Sequence, residues 1–346
     1  MRQPDREWVQ DKLSDLTAYT DDIQEVGNEI DEPEFGAWTA LKLVVHTATV
    51  DVYSKIISNN GFEPYYIDAM SGSGVVNIQD REDTLLGSAF IAGTVAHEPF
   101  EKMYFIEKDS DRAQALRDRL DFAAENIDAF TQSPDSYEVI TGNANNILPT
   151  IPDRIEDHRG GTASGHEGQG GQHHLAFIDN ERHEVKFDTL RQLESIWGDL
   201  LINYQQKGLN REKGRLEAGE SDEWDEFVNF FDGDERVLDL DDPEDRFELY
   251  LEKLDSINRP IHESVKIRGS DHHPYGYRMV YATRKSGGGS EFVEFMQGQR
   301  RKIEGLTGDD IEHVLDTMKG GATHLGLWSV DEDQEGQARL GEFNQQ

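Results

Sequence analysis

Residues Tyr65-Tyr66-Ile67-Asp68-Ala69-Met70-Ser71-Gly72-Ser73-Gly74 decide the fold of this chain. An apolar run closes on an acid and then breaks into small residues spaced Gly-x-Gly, the pattern of a buried strand running into a tight turn. Glycine lowers the steric cost of unusual dihedrals and lets the backbone approach a ligand closely. A helix following directly would aim its free N–H groups at a carboxylate or phosphate. The segment reads as a nucleotide-cofactor loop, with an ordinary strand-to-helix turn as the plainer alternative. A dinucleotide fingerprint would place a third glycine at position 77, where the chain has Asn77, and no Gly-x-x-x-x-Gly-Lys-Ser/Thr occurs. Pyrophosphate and P-loop sites are therefore disfavoured.

Further strands follow in order. Lys102-Met103-Tyr104-Phe105-Ile106-Glu107 is apolar, ends in an acid and precedes the helical pattern Asp111–Asn126. An acid at that tip is placed to accept hydrogen bonds from a ribose diol. Tyr137-Glu138-Val139-Ile140-Thr141-Gly142-Asn143-Ala144-Asn145 ends in amides suited to an adenine edge, and His174-Leu175-Ala176-Phe177-Ile178-Asp179-Asn180 again turns polar at its end. Four strands thus present polar residues where ligands sit in open α/β sheets, outside the carboxyl ends of the strands.

These motifs resemble the three-Cys-motif partner proteins. The resemblance is carried by the glycine loop, Gly87-Ser88-Ala89-Phe90-Ile91-Ala92, Phe105-Ile106-Glu107-Lys108-Asp109, Phe177-Ile178-Asp179, the upstream Trp38-Thr39-Ala40-Leu41-Lys42-Leu43 and the late Tyr277-Arg278-Met279-Val280-Tyr281-Ala282-Thr283-Arg284, and spans residues 35–305. It implies a Rossmann-like α/β fold of the class I S-adenosylmethionine-dependent methyltransferase type, a mainly parallel sheet flanked by helices. It also implies S-adenosylmethionine as cofactor and a separate three-cysteine-motif protein as partner. Carried over, Asp68 and the Ser71, Gly72, Ser73 and Gly74 backbone surround the methionine end. Glu107 holds the ribose hydroxyls. Asn143, with Ala144 beside it, stands where an acid near the adenine amino group is expected, and an amide oxygen can still accept that bond. Gly87-Ser88 either closes over the cofactor or caps a helix.

The reaction end departs from pattern. Amino-methyltransferases commonly carry Asp/Asn-Pro-Pro-aromatic at the fourth strand end, whereas this chain reads Asp179-Asn180-Glu181-Arg182-His183, without proline or aromatic. Base stacking there is disfavoured. Asp179 is expected as acceptor or base, and His183 as a proton-transfer group or, more plainly, a solvated loop histidine. The implied function is an S-adenosylmethionine-dependent methyltransferase of unread substrate; the alternative is a non-catalytic scaffold for the three-cysteine protein.

Seventy acidic residues against 34 basic ones give a formal charge of −36. So general an excess suggests a halophilic cytoplasm rather than a basic partner, because an acidic surface preserves solubility under heavy screening. The acid runs at 232–245 and 331–335 read as solvated surface. The cluster Arg300-Arg301-Lys302 gives nucleic acid only slight support. With no cysteine, disulfides and cysteine-held metal are excluded within the chain, so three-cysteine chemistry must reside elsewhere. The histidine pairs 173–174 and 272–273 point to opposite sides of a strand, and no metal site is expected. No signal core or 18-residue apolar stretch is present, so a cytoplasmic, non-membrane protein is expected.

The expected organisation is an acidic N-terminal segment at 1–34, reading as a peripheral helix, and a cofactor-binding core at 35–206. A helical insertion follows at 207–262, then terminal antiparallel strands and a helix completing the core at 263–305, and a C-terminal extension at 306–346. Glycine-rich 159–172 reads as a flexible insertion or a substrate lid. Residues 223–231 and 247–254 place apolar side chains at three- and four-residue steps, for packing over the sheet or for covering substrate.

Overall fold

The computed structural model describes residues 4–27, 30, 32–159, 171–269, 276–285 and 289–320. Most of the glycine-rich 159–172 segment, the 272–273 histidine pair and the acid run at 331–335 lie outside them. Seven strands form one sheet: β1 (Glu63–Asp68), β2 (Lys102–Glu107), β3 (Tyr137–Thr141), β4 (Gln172–Ile178), β5 (Gly198–Tyr204), β6 (Ile261–Arg268) and β7 (Gly276–Thr283). Their spatial order is 3-2-1-4-5-7-6. Strands 1 to 5 pair in parallel, while β7 runs antiparallel to both β5 and β6. The chain has the expected α/β, class I methyltransferase-like fold, in which the strand order reverses between β1 and β4 and opens a crevice at their carboxyl ends.

The central strands are apolar on both faces because both are covered. Tyr66, Phe105, Leu175, Phe177, Leu201 and Met279 face one core, with the helices α1 (Thr39–Asn59), α2 (Ser88–Thr94) and α3 (Ser110–Asn126). Tyr65, Ile67, Tyr104, Ala176, Ile202 and Val280 face the other. α1 is buried around most of its circumference and ends where Gly61, at φ +75°, takes the left-handed position that closes a helix. The antiparallel end of the sheet is longer than the sequence reading, since β6 begins at Ile261.

Two expectations change. No helix follows the glycine loop directly: Val75–Ile78 and Thr84–Leu86 form a hairpin first, and α2 starts only at Ser88. The β-branched run Val75-Val76-Asn77-Ile78 favours a strand, and Asp80 at φ +59° makes the turn. Nor is the N-terminal segment peripheral. Helix Arg6–Thr17 buries Val9, Leu13 and Leu16 in the first core, so acidic composition on its exposed face masked an amphipathic element.

The 207–262 helices bury Phe227, Phe230, Phe231, Phe247, Tyr250 and Leu254 in the second core, the packing role. Within the 232–245 run, Asp232 pairs with Arg191 at 2.5 Å and Asp234 with Arg236 and Lys253 at 2.6 and 2.5 Å. No helix among the described residues is long and apolar enough to cross a membrane.

Candidate active site

Three carboxylates converge because of register. Asp68, the last residue of β1, lies opposite Phe105 of β2 and Phe177 of β4. Two residues beyond those partners stand Glu107 and Asp179, so all three acids occupy the carboxyl edge at the strand-order reversal.

The glycine loop is fastened to its neighbours. The Ala69 amide donates to the Phe177 carbonyl at 3.0 Å and the Ser71 amide to that of Ile106 at 2.9 Å. Glu107 supplies the third tie: one carboxylate oxygen accepts from the Gly72 amide at 2.9 Å, the other from the Asp109 amide at 2.8 Å. The carboxylate sits in a fixed orientation with lone pairs left over for further donors. The two glycines differ in kind. A Cβ on Gly72 (φ +61°) would meet nothing within 4 Å, so space opens above it, whereas one on Gly74 (φ +92°) would lie 2.5 Å from the Phe90 ring and 2.9 Å from Leu116. Gly87, whose amide donates to the Gly74 carbonyl at 2.8 Å, could not carry a Cβ without striking that backbone at 2.9 Å. Gly87 therefore belongs to the loop's packing and also precedes α2.

Ser73 is spent on structure. Its hydroxyl donates at 2.6 Å to Glu32, whose other oxygen pairs with buried Arg119 at 2.7 Å, and Arg119 also donates to the Ser73 carbonyl at 3.0 Å. A residue of the N-terminal segment thus braces the loop, a contact that no local sequence signal announces.

Asp68 is wholly buried. One carboxylate oxygen accepts from the Met70 amide at 3.2 Å, and Oδ2 has no hydrogen bond of good geometry. Burial pushes this carboxyl up to about 7, with the nearby Ser88 hydroxyl and the Met70 amide opposing and the charges of Asp179 and Glu107 adding to the rise. A buried, unpartnered carboxylate oxygen at a strand tip fits a cationic ligand group.

Asn143 is exposed, but its oxygen caps the short helix Ala144–Ile147 by accepting from the Asn145 amide at 2.9 Å. Its amide N–H groups and the second lone pair of its oxygen remain for an adenine edge. Ala144 is buried in the second core. Asn145 is structural: it donates to the Glu184 carbonyl at 2.7 Å and accepts from the Lys186 amide and the Thr189 hydroxyl at 2.9 and 2.8 Å.

At the β4 tip, Asp179 Oδ2 is held by Lys42 Nζ at 2.5 Å and Oδ1 by Asn203 Nδ2 at 2.8 Å. The same Asn203 amide donates to the Asn180 carbonyl at 3.2 Å. Lys42 comes from α1 and Asn203 from β5, and the sequence reading singled out neither as functional. One turn along α1, fully buried His46 stacks on Phe177 at 4.3 Å and shares a 3.0 Å hydrogen bond with the Tyr66 hydroxyl. Burial, aided by Lys42, pulls its pKa down to about 3, so His46 is neutral. His183 faces the insertion, with Nε2 3.7 Å from Glu223 and the ring edge-on to Phe227 at 6.4 Å. It is buried rather than solvated, with these contacts made to the insertion. Among the described residues no group of His, Cys, Asp or Glu has the arrangement of a metal site.

No family model matches the chain, and no curated protein does. Among solved structures it is similar to cofactor-bound Rv0187 from MTB, at 13% identity over 72% of this chain and 90% of that one, with a TM-score of 0.34. It is also similar to Trm1 from Pyrococcus horikoshii in complex with S-adenosyl-L-methionine, at 10% identity over 76% of this chain and 61% of that one, with a TM-score of 0.37. The fold assignment stands on the strand order itself.

Proposed function

We propose that the protein is an S-adenosylmethionine-dependent methyltransferase whose cofactor lies across the tips of β1 and β2. The observation that carries this reading is the unpartnered Oδ2 of buried Asp68 beside the open face of Gly72. Asp68 would hold the methionine ammonium, the Gly72 backbone would let the ligand approach closely, and Glu107, already oriented by two amides, would take the ribose hydroxyls. Asn143 would meet the adenine edge through its N–H groups. When bound, the cofactor supplies a methyl group activated by sulfonium charge. Asp179 and Lys42 flank the place beyond it where an acceptor would enter, and the chain's contribution there is positioning and charge stabilisation.

The motif resemblance further supports assembly with a separate three-cysteine-motif protein, testable by co-purification of the two chains. For the activity, calorimetry with S-adenosylmethionine in concentrated salt comes first, then transfer of labelled methyl. Asp179→Asn is expected to leave cofactor affinity nearly unchanged and to reduce turnover, since it removes a charge that matters as the acceptor reacts. Binding without transfer, with the three-cysteine protein present, would favour the scaffold alternative. Absence of binding would remove the methyltransferase reading.

A further inference from the structure

Resting on that reading, we infer that the methyl acceptor is an oxygen, a hydroxyl or a carboxylate, received by the ammonium of Lys42. A site that methylates an amine must offer acceptors to N–H groups, and the obvious ones at a β4 tip are the side-chain oxygens of the first residue and the carbonyl of the second. In this protein each of the three already accepts one donor, Lys42 on Asp179 Oδ2 and the Asn203 amide on Asp179 Oδ1 and the Asn180 carbonyl, so that only second lone pairs remain for a ligand. A charged donor, the Lys42 ammonium, thus stands within a cradle that would otherwise only accept.

Charge points the same way. Methyl transfer to a neutral amine places positive charge on nitrogen, which a neighbouring ammonium opposes, whereas transfer to an oxygen is assisted by it. His46, one turn along α1, is neutral and does not compete for that role. Lys42 has three donor hydrogens, and Asp179 uses one. The side chain is only 12% exposed, and that of Asp179 21%, so the pair is shielded enough for its charges to matter yet open to a ligand.

In the reaction the acceptor oxygen gains the methyl carbon while the S–C bond breaks and its electron pair stays on sulfur. A carboxylate brings no proton to the step. A hydroxyl passes its proton to Asp179 Oδ2, and Lys42 holds the developing oxyanion. Lys42 and Asp179 then act on the acceptor directly and are catalytic residues.

The test begins with binding, separately from turnover. The protein is saturated with S-adenosylhomocysteine, which checks the cofactor reading by itself, and then titrated with formate and with methylammonium. Formate is expected to bind in preference, with about a tenfold or greater loss in Lys42→Met and retention in Lys42→Arg, as for a hydrogen bond to a charged group. No preference for formate over methylammonium, or a preference that survives in Lys42→Met, overturns the inference even if the cofactor binds. Retained folding of both variants is checked by their cofactor affinity. The linkage in any product formed with an extract of the source cells gives a second readout. Methanol released by alkali marks a carboxylate acceptor, an alkali-stable ether marks a hydroxyl, and methyl on nitrogen overturns the inference.

Discussion

Replacing each glycine of the Gly72-Ser73-Gly74 loop by alanine should separate a ligand-facing position from a packing one. At Gly74, φ is +92° and the new methyl carbon would stand 2.5 Å from the ring of fully buried Phe90 and 2.9 Å from Leu116. The left-handed backbone costs an L-residue about 1–2 kcal/mol, and forcing a methyl into a filled core about 1–3 kcal/mol more, so Gly74→Ala should lose about 2–5 kcal/mol. With an unfolding entropy of about 2.1 cal/mol/K per residue over 346 residues, or roughly 0.7 kcal/mol/K, the melting temperature should fall by about 3–7 °C. At Gly72 the methyl carbon meets nothing within 4 Å, so only the backbone cost of about 1–2 kcal/mol applies, a fall of about 1–3 °C. Gly72→Ala should nonetheless bind S-adenosylmethionine at least tenfold more weakly, because its methyl projects where the ligand approaches. The assay is thermal melting of the ligand-free proteins in concentrated salt, followed by calorimetry. Equal stability of the two variants, or unchanged affinity in Gly72→Ala, would refute the reasoning.

Glu107→Ala should weaken cofactor binding by about 1.5–3 kcal/mol and also lower ligand-free stability, since the Gly72 and Asp109 amides lose their acceptor together; calorimetry and melting curves read the two effects. Asp68 introduces a pH dependence. Its folded pKa of about 7 lies above the ordinary 3.8, so the folded state binds the proton more tightly and this group's stabilising contribution is full below about pH 4 and lost as pH rises to 7. The stability difference between wild type and Asp68→Asn should therefore shift against wild type over that interval, while cofactor affinity rises through pH 7 in wild type and stays flat in the variant. With a formal charge of −36, the melting temperature should climb steeply between dilute buffer and molar KCl; a flat response would remove the halophilic reading.

The sheet was legible because its strands announce themselves twice, as apolar runs and as polar tips. Asp68, Glu107 and Asp179 each end such a run, and parallel register does the rest. The hairpin at 75–86 was missed because Gly-x-Gly suggests a helix start, while a β-branched run says strand over only four residues. Lys42 was missed for a different reason: its partner lies 137 residues away. A signal was nevertheless present. A single lysine within Ala40-Leu41-Lys42-Leu43-Val44-Val45, in the apolar first half of the helix, cannot remain buried without a counter-charge. Glu32, by contrast, reaches Ser73 from an irregular acidic stretch, where nothing local distinguishes it from its neighbours. His183 was read as loop histidine or proton carrier because the sequence could not tell that the insertion would fold over it.

The placement of β7 between β5 and β6 bears on how the protein is made. Every residue of the proposed site has been synthesised once Asn203 is added, yet β5, which carries Asn203, then has an edge at Leu200, Leu201 and Ile202 whose partner strand is still to be made. That edge is covered only when the chain has reached Thr283 and β7 has slotted in, about 80 residues later. At a synthesis rate of about 5–20 residues per second the nascent chain carries an adhesive edge strand for several seconds. The helices of 207–256, which are made first, bury their aromatic residues in the core on one face of that sheet, so the face can be covered before the edge is.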